Sequence, residues 1–275
     1  MATETKLYND LTFGQYLAQP AMNQSTLKAG RISMAHLKAA IDTPVIPTDA
    51  MKFGTALHCA FLEPELFFSK VVQWTGKARR GKEWDTFSET HKCKTILTPG
   101  PYNKVVPMIA ALRSDPDIIK WQAATVATEV SAMGTINGVP CKGRTDALTT
   151  GPICDLKKIA SARIRAAANR PEKLAWHIKS YGYDLQGAMY TELFNTERFI
   201  IFFVEDAPPY STVVVELGHE PLTRARAELY RLLDNYKECC KTGLWPGPFE
   251  GEGMITLVEL PGDTYDHNDI AITLI

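Results

Sequence analysis

The chain has 275 residues, 45% hydrophobic and 22% charged, an ordinary globular balance with room for a sizeable core. Its 30 lysines and arginines against 31 acids leave a formal charge of −1, which excludes a global basic field; nucleic acid would have to be held by local patches. The six cysteines (Cys59, Cys93, Cys141, Cys154, Cys239 and Cys240) form no C-x-x-C pair, so a zinc ribbon is not expected. The polar N-terminus does not read as a signal peptide, so the thiols are expected to be reduced, in a cytoplasm. No apolar run approaches the ~18 residues of a membrane span, and no membrane partner is expected.

Residues 1–20 are mixed and predict a small helix or arm. Residues 23–41 predict one helix, capped by Asn23 or Ser25. Thr43-Pro44-Val45-Ile46-Pro47 reads as a linker, and 50–63 as a mostly apolar helix ended by Glu63-Pro64. Residues 74–90 carry Lys77, Arg79, Arg80 and Lys82 around two glycines and are expected to be partly mobile. Residues 99–120 predict two helices broken near Asp115-Pro116. The period then changes. Residues 124–136, 138–148 and 152–158 read as three successive strands, the first two joined by Asn137-Gly138, a hairpin signal. Residues 161–195 are helical with interruptions near Arg170-Pro171 and Gly182. Strands at 198–205 and 210–217, a long helix over 220–242 and a short strand at 254–260 complete the chain. Helices, a small mixed sheet, then a helix indicate α/β or α+β.

The chemistry concentrates at residues 142–157, where Asp146, Asp155 and Lys157 stand in the order a metal-dependent phosphodiesterase needs. Asp155 and Lys157 are two apart, and on a strand that spacing points both to one face. A hairpin through Thr149-Thr150-Gly151-Pro152 would bring Asp146 to the same patch. Two carboxylates can hold Mg²⁺, and an ammonium beside them can orient water and stabilise charge on phosphate. Gln186 and Tyr190 lie four apart, so one helix face can present both.

Met51-Lys52-Phe53-Gly54-Thr55-Ala56-Leu57-His58, Leu62-Glu63-Pro64-Glu65, Cys141-Lys142-Gly143-Arg144-Thr145-Asp146, Asp155-Leu156-Lys157 and Gln186-x-x-x-Tyr190 occur in order at compatible spacing. Together they resemble the nuclease domain of exonuclease VIII, the RecE branch of the PD-(D/E)xK superfamily. Asn23-Gln24-Ser25-Thr26-Leu27-Lys28 resembles its opening helix. The likeness runs from about residue 20 to about 200.

The resemblance implies an α/β, restriction-endonuclease-like PD-(D/E)xK core: a central mixed sheet flanked by helices, with a helical N-terminal region. It implies one nuclease domain over 1–275, mainly helical over 1–122, with the catalytic sheet and its helices over 123–260. It implies His58, Asp146, Asp155 and the Leu156 carbonyl as metal ligands, with Lys157 activating water. Gln186 and Tyr190 would order the site or hold the DNA backbone. Glu129 is a candidate accessory ligand, more simply a structural residue. The metal would be Mg²⁺, with Mn²⁺ able to substitute.

The implied activity is 5′-to-3′ resection of double-stranded DNA in recombination. Its partners would be duplex DNA and a single-strand annealing protein, its assembly a ring-shaped homo-oligomer, and its origin phage or prophage, in a host cytoplasm. Two departures from the family pattern stand out. Lys158 follows Lys157 where threonine is usual, and a nuclease domain standing alone, without the long members' N-terminal extension, is expected. Candidate DNA contacts are Ser25, Arg79, Arg80, Lys82, Arg144, Arg163 and Arg165; Trp74 and Trp84 interleave with the first basic run and suit base stacking. The rivals are a single-strand-specific nuclease or endonuclease of the same superfamily, and a catalytically silent DNA-binding module. Without the rest of the set, the blander readings are an N-cap at Ser25, a core histidine at His58, turn or edge aspartates and a packed Gln186–Tyr190 face.

Overall fold

The computed structural model describes residues 3–250 and two further short strands, Ile255–Leu257 and Ile272–Leu274. The N-terminal residues form strand β1 (Thr3–Tyr8) and helix α1 (Phe13–Ala18). A capping box starts α1: the Gln15 N–H donates to the Thr12 hydroxyl, and the Thr12 N–H donates to the Gln15 side chain. The single helix expected over 23–41 is instead α2 (Gln24–Leu27), a 3-10 turn (Lys28–Arg31) and α3 (Met34–Asp42). Two caps lie inside that span. Asn23 accepts the Thr26 N–H, and Ser33, in extended backbone, accepts the His36 N–H and restarts the helix. Ser25 is not a cap; its hydroxyl donates to Asn23.

Beyond the linker, α4 (Asp49–Leu62) is capped by Thr48 and stops at Glu63, the residue before Pro64. α5 (Phe67–Lys70), β2 (Val71–Gln73), α6 (Lys82–Thr90) and β3 (Thr95–Leu97) follow, and β2 and β3 pair in parallel as a small separate sheet. α7 (Pro99–Ser114) and α8 (Pro116–Ala123) break where predicted, with the Asp115 carboxylate capping the second.

The main sheet uses β4 (Thr125–Ile136), β5 (Val139–Thr149) and β6 (Ile153–Ile159). Helices α9 (Ser161–Ala168), α10 (Glu172–Tyr181) and α11 (Tyr183–Leu193) lead to β7 (Phe199–Glu205), β8 (Thr212–Leu217) and α12 (His219–Thr242). The order is β1-β4-β5-β6-β7-β8, antiparallel throughout except for β6–β7. That parallel pair requires a crossover, which α9 to α11 supply. β1 lies at the sheet's edge against β4. The mixed composition of the first residues does not announce it.

β7 is buried on both faces. Phe199, Ile201 and Phe203 face one core; Ile200, Phe202 and Val204 face the other. The first core is closed by Leu27, Leu37, Met189, Leu193, Leu229 and Leu232, the second by Ala56, Leu57, Met108 and Leu112. The result is a sheet between two helical layers, with α11 buried from Asp184 to Leu193. Among the described residues, no helix is long and apolar enough to cross a membrane.

A buried lysine fastens the N-terminal arm. Lys142 is 3% exposed, and its ammonium donates to the carbonyls of Tyr16, Leu17 and Gln19 at 3.1, 2.8 and 2.7 Å. These carbonyls lie at the C-terminal end of α1 and its cap, where the helix dipole favours a cation, and the charge also lies over the Tyr16 ring. Lys142→Met keeps the stem and removes the charge. It is expected to cost about 2 kcal/mol in urea denaturation and to speed proteolysis within residues 3–20.

Candidate active site

The site begins where β5 and β6 part. The two strands pair only at Ala147–Cys154 and Leu148–Ile153. Past those residues side chains take over from the backbone ladder. Asp146 Oδ2 accepts the Leu156 N–H at 2.6 Å, and the Thr145 hydroxyl donates to the Cys154 carbonyl at 3.2 Å. Asp146 thus spans the fork between the strands. Gly143, one turn of the pleat earlier, is required by close approach: a Cβ there would lie 2.8 Å from the Tyr190 ring.

Two further elements bring side chains to Asp146. His58, from α4, places Nδ1 3.1 Å from Asp146 Oδ1, with a quarter of its side chain exposed. Glu129, on β4, sits at the register position opposite Asp146, between the paired Thr128–Ala147 and Val130–Thr145. Its φ of 56° puts a non-glycine residue in the left-handed region, where strain is stored. Arg144 holds it there. The guanidinium pairs with Glu129 at 2.6 Å and donates to Ser131 Oγ and the Leu11 carbonyl, both at 2.9 Å.

One ligand atom from each of His58, Glu129 and Asp146 lies within 4.8 Å of the other two. Donors that share one cation at about 2.1–2.4 Å cannot be farther apart than roughly 4.8 Å, so the spacing fits a single ion. An imidazole with two carboxylates suits Mg²⁺ or Mn²⁺, the imidazole favouring Mn²⁺. A cavity of about 120 Å³ is lined by Asp146, Asp155 and Leu156 together with Phe61, Leu62 and Phe202, on the side of the second core.

Asp155 and Lys157 follow on β6, on one face as their spacing predicts. The Lys157 ammonium lies in ion-pair contact with Asp155 Oδ2, and Gln186 of α11 donates to Asp155 Oδ1 at 2.6 Å. Asp155 therefore stands beside the three-residue cluster, engaged by Lys157 and Gln186, whereas Glu129 falls within it. Tyr190, four residues on, is buried beside Phe194 and Phe199, and burial holds its phenol well above the ordinary value.

The charges are balanced narrowly. Burial and then Asp146 push Asp155 up to about 6. Burial and then Asp146 also raise Glu129, with Arg144 working against them. Burial disfavours the charge on Lys157, but Asp155 and Asp146 outweigh it and keep it protonated. Burial likewise opposes a charged His58, yet the charge and hydrogen bond of Asp146 raise it to about 8. Three crowded carboxylates are thus offset by Lys157, Arg144 and His58, and a divalent ion would further relieve their mutual repulsion.

The candidate DNA contacts separate. Arg80, Lys82, Arg163, Arg165 and Ser25 are exposed. Arg79 pairs with Asp49 at 2.6 Å. Arg144 is turned inward onto Glu129 and Leu11. Trp74 is buried and packs on Trp84 and Phe87, so its ring is not presented for base stacking as the sequence suggested. Tyr183, whose ring lies 5.4 Å from the Lys157 ammonium, went unnoticed in the sequence. An aromatic after Gly182 carries no spacing signal.

The divided sheet, the carboxylates at its fork and the lysine beside them define a PD-(D/E)xK-type fold of the nuclease superfamily. The chain belongs to the family described as a PDDEXK-like domain of unknown function (DUF3799), which it matches over residues 23–254. No curated protein matches it. Among solved structures it is similar to the "Putative exonuclease" of Eubacterium rectale, at 17% identity and a TM-score of 0.59, over 88% of this chain and 91% of that one. It is also similar to a phage related exonuclease from Haemophilus somnus 129PT, at 14% identity and a TM-score of 0.35, over 82% and 97% of the two chains. The first likeness carries the fold.

A metal needs the neutral imidazole, so a proton on His58 competes with it. Mn²⁺ affinity, measured by calorimetry, is expected to fall as pH drops below about 8, by up to about tenfold per unit. Flat affinity across that range would remove His58 from the ligand set. The sign for stability is opposite. The raised pKa lets the His58–Asp146 pair stabilise the metal-free fold fully below about 6.5, and that contribution is lost as pH rises through about 8.

Proposed function

We propose that this chain is a metal-dependent deoxyribonuclease that hydrolyses phosphodiester bonds. The carrying observation is Lys157 against Asp155 at the fork, next to the His58–Glu129–Asp146 cluster. The three clustered residues would hold the metal, with Asp155 and the Leu156 carbonyl as further ligands from the adjoining strand. Bound there, Mg²⁺ or Mn²⁺ supplies polarisation of the phosphate and acidification of a water. Lys157 keeps its proton, orients the attacking water and balances charge developing on the phosphate oxygens. Gln186 fixes the carboxylate plane of Asp155 by its 2.6 Å hydrogen bond. Tyr190 packs over Gly143 and holds that stretch of β5 in place. Arg144 acts through Glu129, as a positioning residue.

The finer reading is 5′-to-3′ exonucleolytic resection of double-stranded DNA in recombination. It is supported by the likeness to the RecE branch at residues 51–65, 141–157 and 186–190. The same likeness supports a ring-shaped homo-oligomer, a single-strand annealing partner and a phage-derived protein working in a host cytoplasm. Arg79, Arg80, Lys82, Arg163 and Arg165 would contact the phosphates, with Ser25 near the strand.

The test is Mg²⁺-dependent digestion of linear duplex DNA labelled at the 5′ or 3′ end, beside closed circles and an Asp155→Ala control. Loss of the 5′ label with circles intact supports exonucleolytic resection; nicked circles would replace it with an endonuclease. Lys157→Ala is expected to lower the cleavage rate at least about a hundredfold while metal-dependent DNA binding persists. Cleavage at the wild-type rate would take Lys157 out of the mechanism. Arg144→Gln is expected to weaken Mn²⁺ binding by about tenfold or more, read by calorimetry, because Glu129 loses its partner.

A further inference from the structure

Helices α10 and α11 meet at Gly182, whose φ of 76° ends one and starts the other. Only glycine suits the place: a Cβ would also lie 2.9 Å from the Gln24 amide, which itself donates to the Gly182 carbonyl at 2.7 Å. The turn changes which side chains can meet. Residues two apart in one helix point away from each other, yet across this break Tyr181 and Tyr183 stack, with centroids 5.8 Å apart and 29° between planes. The Tyr183 ring lies under the Lys157 ammonium. Tyr181 is 47% exposed and is backed by the buried His177 ring at 4.4 Å. A stack thus runs from the catalytic lysine to open solvent.

Two cations lie near the stack. The Lys28 ammonium lies 3.5 Å from the Tyr181 carbonyl and close enough to Lys157 to feel its charge. Arg163 acts on His177 from the first turn of α9. Among the described residues, Lys28 meets a carbonyl rather than a carboxylate, and neither it nor Arg163 takes part in an ion pair. A half-exposed phenol ring with a rigid aromatic backing and two cations not held by carboxylates matches what an unpaired nucleotide needs: a face for its base and charge for its phosphates. Interior base pairs of a duplex have both faces covered by their neighbours and would leave the ring unused.

We propose that Tyr181 is a stacking platform for an unpaired nucleobase next to the cleaved bond, with Lys28 and Arg163 holding the adjoining phosphates. This rests on the nuclease reading above and adds that the strand end is frayed when it meets the site.

The test compares binding of a short single-stranded DNA with a strand of the same length made of abasic residues, in Ca²⁺, by fluorescence anisotropy. Wild type is expected to prefer the base-bearing strand by about tenfold or more. Tyr181→Ala should erase that preference and leave affinity for the abasic strand unchanged, whereas Tyr181→Trp should keep it. Lys28→Ala with Arg163→Ala should weaken both strands and flatten the salt dependence. An undiminished preference in Tyr181→Ala, or equal losses on both strands, would overturn the platform. Wild-type cleavage under Mg²⁺ is scored separately. Cleavage without base preference would sink the platform alone, and neither cleavage nor binding would sink the nuclease reading with it.

Discussion

The structure turns on the parting of two strands. Had β5 and β6 continued their ladder, Asp146 would be one more strand residue. Because they separate after Ala147–Cys154, the Leu156 N–H needs a partner, and the Asp146 carboxylate supplies it. A buried N–H left unpaired would cost on the order of 1–3 kcal/mol. One Asp146 oxygen is therefore fixed by the fold. The other is left for His58. The reactive geometry is a by-product of satisfying a backbone donor.

Electrostatics then decides which partners the fork can tolerate. Three carboxylates in so small a volume repel one another, and burial penalises each charge. Lys157, Arg144 and His58 keep the cluster from neutralising itself by taking up protons. Each does so from a different element: β6, β5 and α4. The balance survives because these elements are set in two dense cores on either side of β7. Packing and charge are thus separate tasks carried by alternating residues of the same strands.

Much of this was legible in the sequence. The spacing of Asp155 and Lys157, the Asn137-Gly138 turn and the breaks at Asp115-Pro116 and Gly182 all rest on local rules of period and backbone freedom. What was hidden depends on contacts across long separations. The mixed composition of residues 3–8 carries no strand signature, and β1 forms through its pairing with β4, more than a hundred residues away. The 23–41 helix breaks at Ser33, where a competing cap prevails over a pattern that fits one helix. Glu129 looked structural because nothing local shows that its backbone turns into the left-handed region opposite Asp146. Arg144 and Trp74 looked like surface residues because charge and aromaticity alone do not say which way a side chain faces.

The parallel β6–β7 pair sets the order in which this protein can become competent. Residue 155 cannot be sandwiched until residues 199–205 arrive and pair beside it, after all of α9, α10 and α11. A growing chain therefore carries Asp155 for some fifty residues before its parallel neighbour is available. Assembly of the site waits for β7, and chains that stop short of it are left without the wall on which Asp155 and Lys157 stand.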